Sequence, residues 1–482
     1  MLFNSFAFTV FFPLVVLGFF LTPHRWRWLL LLVASYWFYM AWEPVYALLL
    51  VTSTVVDHLA ARGIAASTDR SVRLRWLRTS LFVNLGLLIG FKYFNFLNDG
   101  MRGAWEFAGH RWPVPDLDVL LPMGISFYTF QTMSYTLDVY RGQLEPSRHL
   151  GRFALYVSFF PQLVAGPIER AKRLLPQFER VVRPDRERIV AGLKQMLWGF
   201  FKKLVIADRA AQLVDLVYSA PGQYDVWSLA LATLLFSAQA YGDFSGYSDI
   251  AIGAARVLGY DLMVNFRTPF LARSIREFWQ RWHISLMTWF RDYLYIPLGG
   301  RRGNTASWYR NLMVVFLISG LWHGAAWTYV LFGALHGVYM IGGIVLAPAA
   351  QALDRSIGWS ERSFARRAVN VLIVFALVNL SWVLFRAQDL SDALVVFGRL
   401  GGMAGDGRHL AQLAEVAGLG RTAVTLCLVP LFFLVDPWMD RVVKGELRIP
   451  GRTLRILIHA AVLAAILLFG YFGEVQFIYF QF

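Results

Sequence analysis

Two histidines stand in a stretch that otherwise reads as lipid-soluble helix, "ISGLWHGAAWTYVLFGALHG" at 318–337. They are His323, between Trp322 and Gly324, and His336, before Gly337. A neutral imidazole carries one donor and one acceptor. Polar groups at membrane depth are costly and tend to face a cavity. An imidazole also titrates near neutral pH, so His323 could move a proton in a group transfer; the alternative is a structural histidine bonded to a neighbouring helix. On a continuous helix Ser319 and Trp327, at i−4 and i+4, share the His323 face. His336 follows about 220° further round such a helix, nearly opposite. No acid or cysteine lies between the two, and the spacing is not that of a zinc helix, so no metal site is expected. His336 is expected to pack or to line a cavity.

A second group is "SIREFWQRWHISLMTWFRDYLYIPLGGRRG" at 274–303, with Arg281, Trp282 and His283 in sequence. It reads as an interfacial amphipathic helix, or as a re-entrant element that carries His283 toward His323 from the cytoplasmic side. A basic, aromatic mouth of this kind suits an anionic, phosphate-containing donor. A third group, "SAQAYGDFSGYSDIAIGAARVLGY" at 237–260, sets Asp243 and Asp249 in a span-like run. Gly242 and Gly246 there form a G-x-x-x-G that permits close helix packing. The two acids read either as hydrogen-bonded packing or as a polar pocket wall. Cys427, the single cysteine, sits in "TLCLVPLFF" and is expected to pack inertly. It excludes an internal disulfide.

The elements that must position these groups are membrane helices. The chain of 482 residues is 57% hydrophobic and only 16% charged, which cannot cover a soluble surface of this size. Apolar runs recur near 3–22, 28–42, 45–61, 79–97, 119–137, 153–168, 190–217, 226–255, 308–328, 330–347, 368–385, 421–436 and 454–473. The expectation is an all-α polytopic protein, one transmembrane domain over 1–482, with 11–13 apolar segments of which some are re-entrant. The net charge of +15 collects in short loops, a positive-inside pattern rather than a nucleic-acid surface. Segments 62–78, 256–281, 291–310, 354–367 and 436–455 are net positive and assigned to the cytoplasm. Segments 99–118 and 386–420 are net negative and assigned outside. The mixed charge and prolines of 138–203 point to broken helices. The first positive residue is Arg25, after the first apolar run, so that run reads as a retained helix with its N-terminus outside. The tail "VQFIYFQF" reads as an interfacial aromatic anchor or a buried cap.

The order of several motifs identifies a resemblance. "LPMGISFYTFQTMSY" at 121–135, "FFPQLVAGPIER" at 159–170, "YGDFSGYSDIAIG" at 241–253, "NFRTPFLARSIREFWQRWHISLMTWFRDYLYIPLGG" at 265–300, "GLWHGAAWTYVLFGALHG" at 320–337 and the "FIYFQF" terminus together resemble the membrane-bound O-acyltransferase (MBOAT) family. The likeness is to its bacterial branch that O-acetylates alginate and other exopolysaccharides. It implies a bundle of many helices with a central channel open to both membrane faces, in the bacterial inner membrane. It implies His323 as the catalytic histidine of the W-H-G motif and His283 as the second polar position. Trp322, Ser319, Trp327, His336, Asp243, Trp282 and Arg281 are then candidates to line the substrate and donor path. Acetyl-CoA is the implied donor, with no tightly bound cofactor, and a periplasmic SGNH-type acetyltransferase the implied partner. Two rival readings remain at this stage. One is a transporter or flippase for an envelope polysaccharide precursor, with Asp243 or Asp249 as proton relays. The other is a structural scaffold for an exopolysaccharide synthase.

Overall fold

A computed structural model describes residues 1–360, 363–402, 405, 407–473 and 477–478. The described residues are helical or irregular, with no strand among them. Six helices among them are long and apolar enough to cross a bilayer: Pro44–Ala66, Arg70–Phe107, Trp327–Val345, Phe364–Arg386, Leu419–Val443 and Arg452–Phe469. The protein is therefore an all-α, multi-pass membrane protein. Phe6–Leu21 is a shorter apolar helix. Fewer helices span by length than the apolar runs suggest, because several runs are split. The run at 190–217 becomes Arg186–Phe201, a π turn at Lys202–Ala207, and Asp208–Tyr218. The 153–179 region breaks into Leu150–Ser158, Phe160–Leu163, Ala171–Leu174 and a 3₁₀ turn, as its prolines lead one to expect.

The chain forms two compact units. The first comprises 1–196 and 250–263. Its core includes a buried polar cluster on the helices Ala47–Ala66, Arg70–Leu88 and Ile125–Tyr140. There Asp57 accepts two hydrogen bonds from the Asn84 amide (2.8 and 3.0 Å), one from Thr136 (3.2 Å) and one from Ser80. Each donor is thereby satisfied away from water, where an unpaired one would cost about 1–3 kcal/mol.

The second unit comprises 197–249 and 264–482, and it contains all three histidines singled out above. Its helices approach closely through glycines. At Gly246 an added Cβ would stand 2.7 Å from the Gly199 carbonyl oxygen, and at Gly242 3.0 Å from that of Lys202. The G-x-x-x-G pattern thus does what its spacing suggests. The tightest pair is Thr305–His323 against Trp327–Val345. A Cβ on Gly320 would collide with the Tyr329 carbonyl oxygen, and one on Gly333 with that of Phe316.

Gly320→Ala should therefore destabilise the protein by about 1–3 kcal/mol, the usual cost of overpacking. Gly342→Ala, on the same helix hairpin but with nothing within 4 Å of its added Cβ, should melt like the wild type. Thermal melting in one detergent, read on both variants, checks the pair; equal melting temperatures would refute the close-approach account.

Candidate active site

His323 is the last residue of its helix, Thr305–His323. Gly324 (φ −159°, ψ 153°) and Ala326 (φ −147°, ψ 155°) are extended, and the next helix begins at Trp327. This break corrects the expectation that one helix face carries Ser319, His323 and Trp327. Ser319 is buried as expected, but Trp327 is 63% exposed and points away from the core. His323 itself is buried and lines a cavity of about 10 Å³, room for about one water. The walls are Trp279, Trp282, Phe332, Trp382, Phe385 and Ile478. The Phe385 ring lies edge-on, 5.3 Å from the imidazole centroid. A space of this size is smaller than an acyl group.

His283 lies on the segment between helices Ile275–Arg281 and Ile284–Phe290, and is fully buried. The segment 274–303, read from the sequence as either interfacial or re-entrant, folds into short helical pieces, two of seven residues and a π turn at Arg291–Tyr295. His283 is left-handed (φ 45°, ψ 52°), one of two non-glycine residues with positive φ among the described residues. That conformation costs roughly 1–2 kcal/mol and persists only where its surroundings enforce it. Asn265 does the enforcing. Its carbonyl oxygen accepts from the Ile284 N–H (2.9 Å), and its side-chain Oδ1 accepts from the Ser285 N–H (3.2 Å) and hydroxyl (2.9 Å). Its amide in turn donates to Ser248 (3.2 Å). Phe244 stands edge-on to the imidazole at 4.6 Å. Trp322 links the two histidines, its ring 5.7 Å from that of His283 and 5.1 Å from that of His323.

The other candidates fall into different places. Trp282 is on the His323 cavity wall and packs on Trp382 at 5.3 Å. His336 is buried with both nitrogens engaged: the Trp279 indole donates to Nδ1 (3.2 Å), which leaves Nε2 to donate to the Ser381 hydroxyl (2.9 Å). It therefore ties three segments together, and it is absent from the cavity wall. Arg281 bridges to Glu277 (2.6 Å) at a half-buried position and does not reach the cavity. Asp243 is held by Lys203 Nζ at 2.8 Å, and its Oδ2 accepts the Ile478 N–H at 2.7 Å. Asp249 is held by Lys202 at 3.0 Å. The acids that a proton-coupled transporter would use are thus locked into lysine pairs. Phe477 and Ile478 of the tail are buried, Phe477 against Tyr247 at 4.8 Å; the rest of the 474–482 tail lies outside the described residues. Cys427, expected to be packed, is exposed on the outer face of Leu419–Val443.

Sequence reasoning missed Asn265 and the lysines. Asn265 heads a motif that was noticed only for its histidine. Lys202 and Lys203 fall in a run counted as apolar, although two cations in one run and two acids in another are a complementary pattern. Lys202 also meets Asp436 (3.2 Å), and Lys203 meets Asp208 (2.8 Å).

The family model for "MBOAT, membrane-bound O-acyltransferase family" matches residues 147–385, a range that includes His283, His323 and their supports. The chain is 41% identical to the "Probable alginate O-acetylase AlgI" of Pseudomonas aeruginosa over 82% of its own length and 73% of that protein's. It is 35% identical to the "Peptidoglycan O-acetyltransferase" of Helicobacter pylori, over 86% and 82% of the two chains. It is 28% identical to the "Teichoic acid D-alanyltransferase" of Bacillus subtilis, over 49% and 62%. The likeness extends well beyond the motifs around the two histidines, and the chain belongs to the membrane-bound O-acyltransferase family, as a multi-pass membrane enzyme that transfers acyl groups to oxygen.

Proposed function

We propose that this enzyme takes acetyl groups from acetyl-CoA on the cytoplasmic side of the bacterial inner membrane and delivers them outward for O-acetylation of an exopolysaccharide, alginate in the first instance. Delivery is to sugar hydroxyls directly or through a periplasmic SGNH-type acetyltransferase. The N-terminus faces the periplasm in this arrangement, in keeping with the loop charges. The observation that carries the reading is the junction at His323: a buried imidazole at a helix end, beside a small cavity, with His283 on the far side of Trp322. The names of the relatives supply the acetyl group and the polymer.

His323 acts as general base. It takes the proton of the acceptor hydroxyl as that oxygen attacks the acetyl carbonyl. The carbon–sulfur bond then breaks, and the same proton passes to the leaving thiolate. His283 donates a hydrogen bond to the oxyanion that forms between the two steps. The aromatic wall excludes water, which would otherwise compete as acceptor.

His323→Ala should cut polysaccharide acetylation by about 10²–10⁴-fold while the protein accumulates and melts as the wild type does. Acetyl-ester content of the secreted polymer, measured beside membrane abundance, checks this; normal acetylation in the variant would reject the assignment. Asn265→Ala removes the side-chain acceptor that pins Ser285, so His283 should lose its orientation. The expected outcome is a fall in kcat of about 10–10²-fold with KM for the donor little changed, and partial recovery in Asn265→Asp, which keeps an acceptor oxygen. A fall in protein abundance that accounts for the whole loss would show that Asn265 serves stability alone.

A further inference from the structure

Two cavities on the second unit are lined from neighbouring positions of the chain. One, of about 250 Å³, is polar and lined by Arg273, Glu277, Arg366, Arg367 and Asn370. The other, also about 250 Å³, is apolar and bounded by Phe270, Leu271, Val371, Leu372, Phe375 and Phe433. The same two stretches form both: the turn and helix at 268–277, and the first turns of Phe364–Arg386. Leu271 lies two residues before Arg273, and Val371 directly follows Asn370, so the two cavities are lined by neighbouring residues of the same stretches.

The charge there is in surplus. Four arginines (Arg273, Arg281, Arg366 and Arg367) meet two carboxylates. Glu277 takes Arg281 at 2.6 Å and Arg273 at 3.8 Å, and Asp354 takes Arg366 at 2.6 Å. Arg367 makes no ion pair among the described residues and is exposed. The apolar cavity is walled by Phe364–Arg386 and Leu419–Val443, both long and apolar enough to span, so its open side faces lipid rather than water. Leu372, 64% exposed, and Leu271, 44% exposed, form its rim. The one acid on its lining, Asp436, is neutralised by Lys202 (3.2 Å) and accepts the Tyr241 hydroxyl (2.7 Å), so it does not repel an anion.

We infer that this pair of cavities binds an anionic phospholipid of the surrounding leaflet, with the phosphate-bearing headgroup on Arg273 and Arg367 and one acyl chain in the apolar groove. Guanidinium groups match phosphate oxygens in a two-pronged geometry, and basic pockets between spanning helices are where anionic headgroups gather. The loops that carry these arginines, 256–281 and 354–367, are both net positive, so headgroup and arginines belong to one membrane face. The groove has a further consequence. Phe270 forms part of it and packs on Trp282 at 6.2 Å, and Trp282 is on the wall of the His323 cavity. An acyl chain in the groove therefore supports the aromatic wall from behind.

The test uses the full-length protein in a neutral detergent, titrated with phosphatidylglycerol or phosphatidylcholine and read by native mass spectrometry. Phosphatidylglycerol should be retained in preference to phosphatidylcholine, and less so as salt is raised. Arg273→Gln with Arg367→Gln should weaken retention of the anionic lipid by about fivefold for each arginine removed, with phosphatidylcholine unaffected. Leu372→Trp, which fills the groove and leaves every charge in place, should weaken both lipids, and it carries the test if the arginine variant fails to fold. Equal retention of the two lipids by the wild type would overturn the proposal. So would phosphatidylglycerol binding that survives both variants, or displacement of the lipid by coenzyme A at equal concentration, which would assign the cavities to a soluble nucleotide instead.

Discussion

The site depends first on how closely two helices can approach. Thr305–His323 and Trp327–Val345 meet at Gly320 and Gly333, with each glycine against a backbone carbonyl of the opposite helix. Lipid gives no hydrophobic drive for helices to associate, so close van der Waals contact has to supply it. That contact brings the two helices together on either side of only three connecting residues, 324–326. A connection so short leaves little freedom in where His323 ends up. Gly324 belongs to the same constraint, since a Cβ there would enter the Tyr329 ring. The tryptophan–histidine–glycine order is thus a packing statement as well as a chemical one: the ring is placed by the glycines around it.

A second constraint keeps the floor of the unit in register. Lys202 and Lys203 sit side by side in a π turn; Lys202 bridges Asp249 and Asp436 from two other helices, and Lys203 bridges Asp243 to Asp208 at the end of its own turn. Burying such ions costs several kcal/mol each, which their mutual attraction offsets only in good geometry. An extra residue in a helical turn turns consecutive side chains to new directions, and here it serves both lysines at once. The pairs hold Val226–Val257, which carries Phe244 against His283 and Ser248 against Asn265. The polar network therefore reaches the strained histidine through named contacts, and charge in the membrane interior acts here as a fastening.

Much of this was legible in the residues and some was not. Composition and apolar runs give an all-helical membrane protein, and the motif order gives the family. The small-residue pattern at Gly242 and Gly246 gives a real close contact. Helix phase fails at Trp327, because the helix ends at His323 and both Gly324 and Ala326 are extended, and a glycine after a histidine does not announce whether it continues or ends a turn. The paired lysines were hidden by averaging hydropathy over a run. The role of Asn265 could not be read at all, since it depends on a hydrogen bond across twenty residues to a turn whose left-handed residue is a histidine and not a glycine.

The small size of the cavity bears on the chemistry. An activated acyl group reacts with whatever hydroxyl reaches it, and water is the smallest and most abundant of these. A space of about 10 Å³ admits at most about one water, and its walls are almost wholly aromatic, so that water has few partners to hold it. A ring of tryptophan and phenylalanine gains area on closure and has few torsions to freeze. Such a wall packs well with nothing bound, and anything larger than water has to displace its side chains to reach His323. That displacement draws on the binding energy of whatever enters. What such a closed, aromatic space offers an acyl transfer is the exclusion of water as a competing acceptor.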